Sequence, residues 1–410
     1  MHILLLGNGF DLHYKLPTKY NNFLNTVDFL LNNYNFDMKT IGDVFGNMLL
    51  REKDEFIERS YYEYQDVYDK VELDDSKITE LLESMKDNIW FNYFVSSFNK
   101  DIGWIDFEKE ISLVVEVLQE FLSGVSVIYQ KSLEKTTENY IVDFFDFFSD
   151  SISNSMYAMM RKIKPEYILE YPTNSGVTIV NKEKIVEVLV KSLEDLARGL
   201  QLYLQCFVEN ILYDVNSKAY IEKCDAFSEI THAITLNYTN TYESFYDDDN
   251  VFHVHGMTDG KIVLGINPDT HDELGEVDTL FIAFKKYFQR VMYGTDVAYL
   301  RWIAELNKTE EPYTVTVMGH SLDVTDEDII KELFKRAKEI IILYHDETAK
   351  ASYIANLVKI YGREGFEKLR SKHKLMLVSL NSDLTWISEN RRQEALLKSF
   401  IDGLFGEASE

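Results

Sequence analysis

The sequence predicts an α/β protein: a Rossmann-like, mostly parallel sheet with a large helical insertion between its first and second strands. Three observations predict it. The chain opens on a short apolar run, Ile3-Leu4-Leu5-Leu6, that ends on Gly7-Asn8-Gly9. A continuous apolar strand feeding a glycine loop is how open parallel sheets begin a ligand loop. Strand signals are then scarce until about residue 228, where apolar residues instead recur at helical spacing. Beyond that point, short apolar runs return between helical segments, as a parallel sheet covered on both faces requires.

Composition sets the outer limits. At 410 residues the chain holds one large or two ordinary domains, and 46% hydrophobic with 14% aromatic content gives it a well-filled core. A formal charge of -27 opposes non-specific adhesion to phosphate backbones, which depends on lysine and arginine, so nucleic acid is not an expected partner. A small anionic ligand held by backbone N–H groups stays compatible with it. Two cysteines, Cys206 and Cys224, build neither a disulfide framework nor a four-thiolate zinc site. The N-terminus lacks a basic segment and a long apolar stretch. No apolar run approaches the roughly 18 residues of a membrane span. A cytoplasmic protein without membrane contact is expected.

In chain order, Thr18 is the expected N-cap of a helix carrying Tyr20, Phe23, Leu24, Val27, Leu30 and Leu31. Helical patterns follow at Trp90 to Phe94, Leu113 to Leu122 and Val186 to Val215, and a hairpin is possible from Tyr167 to Val180. Within Trp104-Ile105-Asp106-Phe107-Glu108, Asp106 suits an N-cap and Glu108 the positive first turn, although either could face a ligand cleft. The run Phe144-Phe145-Asp146-Phe147-Phe148 reads as a core or interface helix, since its acids oppose base stacking. Strands are expected at Ala233 to Asn237, Val251 to Gly256, Lys261 to Ile266, Val315 to Gly319, Ile340 to Leu343 and Leu375 to Val378. Residues 1–24 and 228–385 then form the core, 25–227 the helical insertion, and 386–410 a C-terminal helix or tail.

The chemistry concentrates at strand ends. Asn237-Tyr238-Thr239-Asn240, His255-Gly256 and Gly319-His320-Ser321-Leu322 each follow an expected strand. Ligands of open α/β sheets sit outside these carboxyl ends, so these residues and the Gly7 loop suggest one polar cleft. Each has a plainer alternative: Asn237 could satisfy loop backbone, and a lone histidine is more often structural than catalytic. His253 and His255 alternate onto one strand face and could be a metal pair, but no third ligand stands at the right spacing. No metal is expected. Asp326, Glu327 and Asp328 crowd the start of the helix after Gly319 and would repel a phosphate there. Gly319 and Ser321 are therefore assigned to a ribose or adenosine, and the phosphates to the N–H groups around Gly9 and Phe10.

These motifs carry a resemblance. Gly7-Asn8-Gly9-Phe10-Asp11-Leu12 with Leu16-Pro17-Thr18, then Asn237-Tyr238-Thr239-Asn240-Thr241, His253-Val254-His255-Gly256 and Gly319-His320-Ser321-Leu322, resemble the AbiH family of phage abortive-infection proteins. Trp104 to Glu108 also resembles a pattern of that family. In order and spacing the motifs are more distantly similar to sirtuin-like NAD-binding domains. That likeness implies NAD as ligand or substrate, with Gly7, Asn8, Gly9, Phe10, Asp11, Pro17, Gly319, His320 and Ser321 around it. It implies Asn237 and His255 as catalytic residues, one orienting water or ribose and the other acting as general base. Three departures stand out. Lys19-Tyr20 replace the Phe-Arg that sirtuins carry after the proline. Thr239 replaces the aspartate that sirtuins place near nicotinamide, and no four-cysteine zinc module is present. The expectation is a phage-defence effector that binds a small-molecule nucleotide and cleaves NAD at its N-glycosidic bond. A nucleotide sensor without turnover is the alternative, and a nuclease a more remote one. A phage-derived trigger and a homo-oligomer are compatible partners.

Overall fold

The computed structural model describes residues 1–128, 182–215 and 230–387, except 36, 52–53, 99–105, 247, 249, 268–277, 310, 372–373, 383 and 385–386, and also residues 159, 224 and 227. Two compact units divide the chain. The first comprises Met1–Tyr14, Leu212–Val254 and Asp296–Glu410, and the second Lys15–Ile211 and His255–Thr295.

The first unit is built on six strands: β1 (His2–Leu6), β2 (His232–Thr235), β3 (Val251–His253), β4 (Thr314–Met318), β5 (Glu339–Tyr344) and β6 (Leu375–Ser379). They pair in the order β3-β2-β1-β4-β5-β6, and every pairing is parallel. The residue types explain the order. All five residues of β1 and of β4 are buried, as central strands covered on both faces must be. β3 and β6 are half-buried throughout and stand at the edges. Ile3 and Leu5 of β1, Val315 and Val317 of β4, and Ile340 and Ile342 of β5 belong to one apolar core. Burying each such side chain is worth about 1.5–3 kcal/mol.

Helices complete this unit: α1 (Asn8–His13), α2 (Thr241–Tyr246), α3 (Val297–Leu306), α4 (Glu327–Lys335) and α5 (Glu347–Ser371). Ile330, Leu333 and Phe334 of α4 and Leu357 of α5 lie in the same core as the strands. The chain moves outward from β1 to β2 and β3, then returns to pair β4 on the other side of β1. That reversal is a topological switch point, the place where doubly wound sheets bind ligands.

The second unit is mainly helical, and its large helical region lies between β1 and β2 in the chain, as expected. Its helices are joined by specific polar contacts. The Trp90 indole N–H donates to the Leu189 carbonyl at 2.9 Å, and the Asn88 amide to the Ser192 carbonyl at 2.8 Å. Phe107 stacks between Tyr20 and Phe94, each centroid 4.1 Å away. Helix Lys182–Leu204 ends in a π-helical turn, Gln205–Glu209, before Asn210–Val215, so the single helix expected from Val186 to Val215 is interrupted.

Two local expectations are corrected. The N-cap of helix Tyr20–Asn33 is Lys19 and not Thr18, and Asn22 accepts from the Lys19 N–H at 3.1 Å. Residues 261–266 form no strand: Gln289 takes both the N–H and the C=O of Leu264, and Ile266 makes only an isolated bridge to Lys285. Residues 255–295 group with the helical unit. The hairpin expected from Tyr167 to Val180 and the aromatic run from Phe144 to Phe148 lie outside the described residues, as does nearly all of 386–410. Among the described residues, no helix is long and apolar enough to cross a membrane.

Candidate functional site

At the carboxyl ends of β1 and β4 the two glycine loops pack backbone against backbone. The Gly7 N–H donates to the Met318 carbonyl at 3.2 Å, and the Gly9 N–H to the Gly319 carbonyl at 2.8 Å. A Cβ on Gly9 would lie 2.6 Å from the Gly319 Cα, and one on Gly7 2.6 Å from the His320 Cα. Gly319 itself has φ 71° and would place a Cβ 2.1 Å from the Phe10 nitrogen. Glycine is required because the loops touch, a reason different from ligand approach. The Phe10 N–H is also engaged, donating to the Gly7 carbonyl at 2.9 Å. The expected phosphate seat at the Gly9 and Phe10 amides is thus already filled by protein acceptors.

What the first unit gathers instead is a buried polar cluster. α1 starts directly after Gly7, which brings Asp11 into the interior with 1% exposure. The Thr241 hydroxyl donates to the Thr239 oxygen at 3.0 Å, and the Thr239 hydroxyl donates to Asp11 Oδ2 at 2.7 Å. Asp11 Oδ1 is buried without a partner. Burial pushes the Asp11 pKa up to about 7, and the Glu243 charge adds to the effect, against lowering by Thr239, Thr241 and Asn237. Thr239 thus holds a carboxyl supplied by α1.

Asn237 is buried just beyond β2. Its side-chain amide donates to the Gly7 carbonyl at 3.1 Å, and its N–H donates to Thr235 Oγ1 at 3.1 Å. His253, the last residue of β3, meets the Asn237 carbonyl through Nδ1 at 3.3 Å and contacts Glu243 of α2 through Nε2. The sequence offers His253 as half of a metal pair and as part of the His253-Val254-His255-Gly256 motif, and gives Glu243 no role. A carboxylate in the first turn of the short helix after Asn237-Tyr238-Thr239-Asn240 was the available signal. β3 ends at His253, so the alternation expected to carry His255 onto the same strand face does not reach it.

After β4, His320 is structural in its contacts. Its Nδ1 accepts the Leu322 N–H at 2.9 Å, so the ring proton sits on Nε2, 3.3 Å from Asp326 Oδ2. Asp326 is buried and therefore turned inward from the helix start, where only Glu327 and Asp328 remain of the three expected acids. Ser321 is exposed, and its carbonyl accepts from Asn356 at 3.0 Å; Asn8 is exposed as well.

Pro17 and His255 belong to the second unit. The Pro17 carbonyl accepts the Tyr203 hydroxyl at 2.8 Å. His255 is buried, and its carbonyl accepts the Val263 N–H at 2.9 Å. Gly256 follows at φ 83°, where a Cβ would lie 1.9 Å from the Lys261 carbonyl oxygen. The next turn is held by the π-helical segment: Gln205 donates to the Thr258 carbonyl at 2.6 Å, and the Thr258 hydroxyl meets Glu209. π turns recur at functional sites. Asp106 caps its helix, accepting from the Lys109 N–H at 3.1 Å, and Glu108 pairs with the buried Lys286 at 2.8 Å. Asp106 therefore takes the capping role expected of it.

Comparison with known proteins gives one family. Residues 3–345 match the family described as bacteriophage abortive infection AbiH. No curated protein and no solved structure matches the chain.

Proposed function

The chain belongs to the bacteriophage abortive infection AbiH family, and from that premise we propose that it is a phage-defence effector that binds NAD and cleaves its N-glycosidic bond. Family membership implies the role in abortive infection; the nucleotide chemistry is the further step. The observation that carries it is the strand order β3-β2-β1-β4-β5-β6, with Asn237, Asp11 and Gly319 at the carboxyl ends beside its reversal. Sheets wound this way take dinucleotides at that edge. The Asp11 carboxyl belongs to the polar cluster at that edge, whereas the engaged Gly9 and Phe10 amides do not suit a phosphate.

In this reading Asn237 orients water or the ribose. The water oxygen bonds to the anomeric carbon while the bond to the pyridinium nitrogen breaks. Nicotinamide leaves with that electron pair as a neutral ring, and a base takes the proton from water. The base assigned by the sequence resemblance is His255, whose ordinary pKa suits proton transfer near neutrality. The test is to incubate the purified chain with NAD, NADP and ATP and separate the products. Nicotinamide and ADP-ribose are expected from NAD, with Asn237→Ala and His255→Ala each lowering the rate by about 100-fold or more. If both variants release nicotinamide as fast as the unaltered chain, the mechanism is wrong.

A second reading, a nucleotide sensor without turnover, is favoured by one observation: the Thr239 hydroxyl is committed to Asp11. It predicts saturable NAD binding with no product after hours.

A further inference from the structure

We propose that His253 and Glu243 are positioning residues of the candidate site, a clamp that shares one proton and fixes the backbone of Asn237. The inference rests on the nucleotide reading for its purpose, and on hydrogen-bond geometry for its existence. The Asn237 carbonyl can only accept, so His253 Nδ1, 3.3 Å away, carries a hydrogen. The other ring nitrogen, Nε2, contacts Glu243 Oε1. A neutral imidazole has a single N–H, already used on Nδ1, and would turn a lone pair toward a carboxylate oxygen. Two acceptors do not make such a contact, so a proton lies between them. The side chains are only 7% and 21% exposed, which leaves little water to substitute for that proton.

The clamp has reach. His253 ends β3, Asn237 follows β2, and the Asn237 amide donates to Gly7 at the end of β1, so one chain of hydrogen bonds ties three strand ends. Asp11 stands in the same cluster, reached by the Glu243 charge, and Glu243 Oε2 is buried without a partner. Glu243 therefore acts on two of the groups that the nucleotide reading uses, Asn237 and Asp11, without being assigned a contact to the nucleotide.

The test uses the full chain with ring-labelled histidine. Nitrogen spectra of the ligand-free protein near neutral pH are recorded for the unaltered chain, Glu243→Gln and Glu243→Ala, and NAD affinity of each is measured by calorimetry. The unaltered chain is expected to show hydrogen on both His253 nitrogens. In Glu243→Gln the side-chain amide can donate to Nε2, so that nitrogen becomes a bare acceptor while Nδ1 keeps its hydrogen. That variant retains NAD affinity within about threefold, whereas Glu243→Ala loses about tenfold or more. A bare lone pair on either His253 nitrogen of the unaltered chain overturns the clamp. Undiminished NAD affinity in Glu243→Ala overturns its positioning role. Failure of the unaltered chain to bind NAD would overturn the nucleotide reading instead, and the ligand-free spectrum still decides the clamp.

Discussion

Asp11 has one oxygen held by Thr239 and the other bare, in an interior that water does not reach. Burial moves its pKa from the ordinary 3.8 to about 7. Below 3.8 the folded and unfolded chains both hold the proton, and Asp11 does not affect stability. As pH rises toward 7 the unfolded chain releases it first, so stability falls through that window and stays at the lower level above it. Asp11→Asn keeps an acceptor for Thr239 and removes the titration. The variant should therefore be more stable than the unaltered chain above pH 7, by about 4 kcal/mol, with the gap closing near pH 4. Urea unfolding across that range measures it; a gap that does not change with pH would mean that Asp11 is solvated in the folded state. The same substitution leaves Glu243 and His253 in place, so it separates the desolvated carboxyl from the clamp beside it.

Between elements, the contact of the two glycine loops decides how β1 and β4 end. Gly319→Ala forces a left-handed φ on a residue with a Cβ and drives that carbon into the Phe10 backbone, where no rotamer can move aside. A loss on the order of 3–5 kcal/mol is expected, read as a lower urea midpoint with an unchanged slope; a loss under about 1 kcal/mol would mean that the loops separate easily. This contact also shows how far the sequence could be read. β1, β4, β5 and β6 were legible because continuous apolar runs between helices have few other uses, and the polar ends of β1, β2 and β4 marked the edge where Asn237, Asp11 and Gly319 sit. What pairs with what across that edge was not legible. A Gly-Asn-Gly looks the same whether its amides face a phosphate or the Gly319 carbonyl. Residues 261–266 look like a strand because Ile262-Val263-Leu264 is a short continuous apolar run after a turn, yet a glutamine side chain stands where a neighbouring strand would be. Glu243 and His253 lie ten residues apart, and their contact depends on a short helix turning back over the strand ends.

At the scale of the whole molecule, charge sets a condition on any anionic ligand. The chain carries -27 at neutral pH, with 69 acidic against 42 basic side chains. A nucleotide approaching it meets net repulsion, unlike a nucleic-acid-binding protein, whose affinity falls with salt because its cations displace counterions. The opposite sign is expected here. Raising ionic strength from about 20 to 200 mM shortens the Debye length from about 20 Å to under 10 Å and screens the distant carboxylates, while buried hydrogen bonds at the strand ends are hardly screened. NAD affinity should then rise about two- to threefold, chiefly through faster association, which electrostatic steering governs. Calorimetry for the affinity and stopped-flow mixing for the rate, in the same salt series, test it. Weaker binding at high salt would show that local cations dominate over the net charge, and would move the search for the phosphate partner to lysine and arginine side chains, since the Gly9 and Phe10 amides are already engaged.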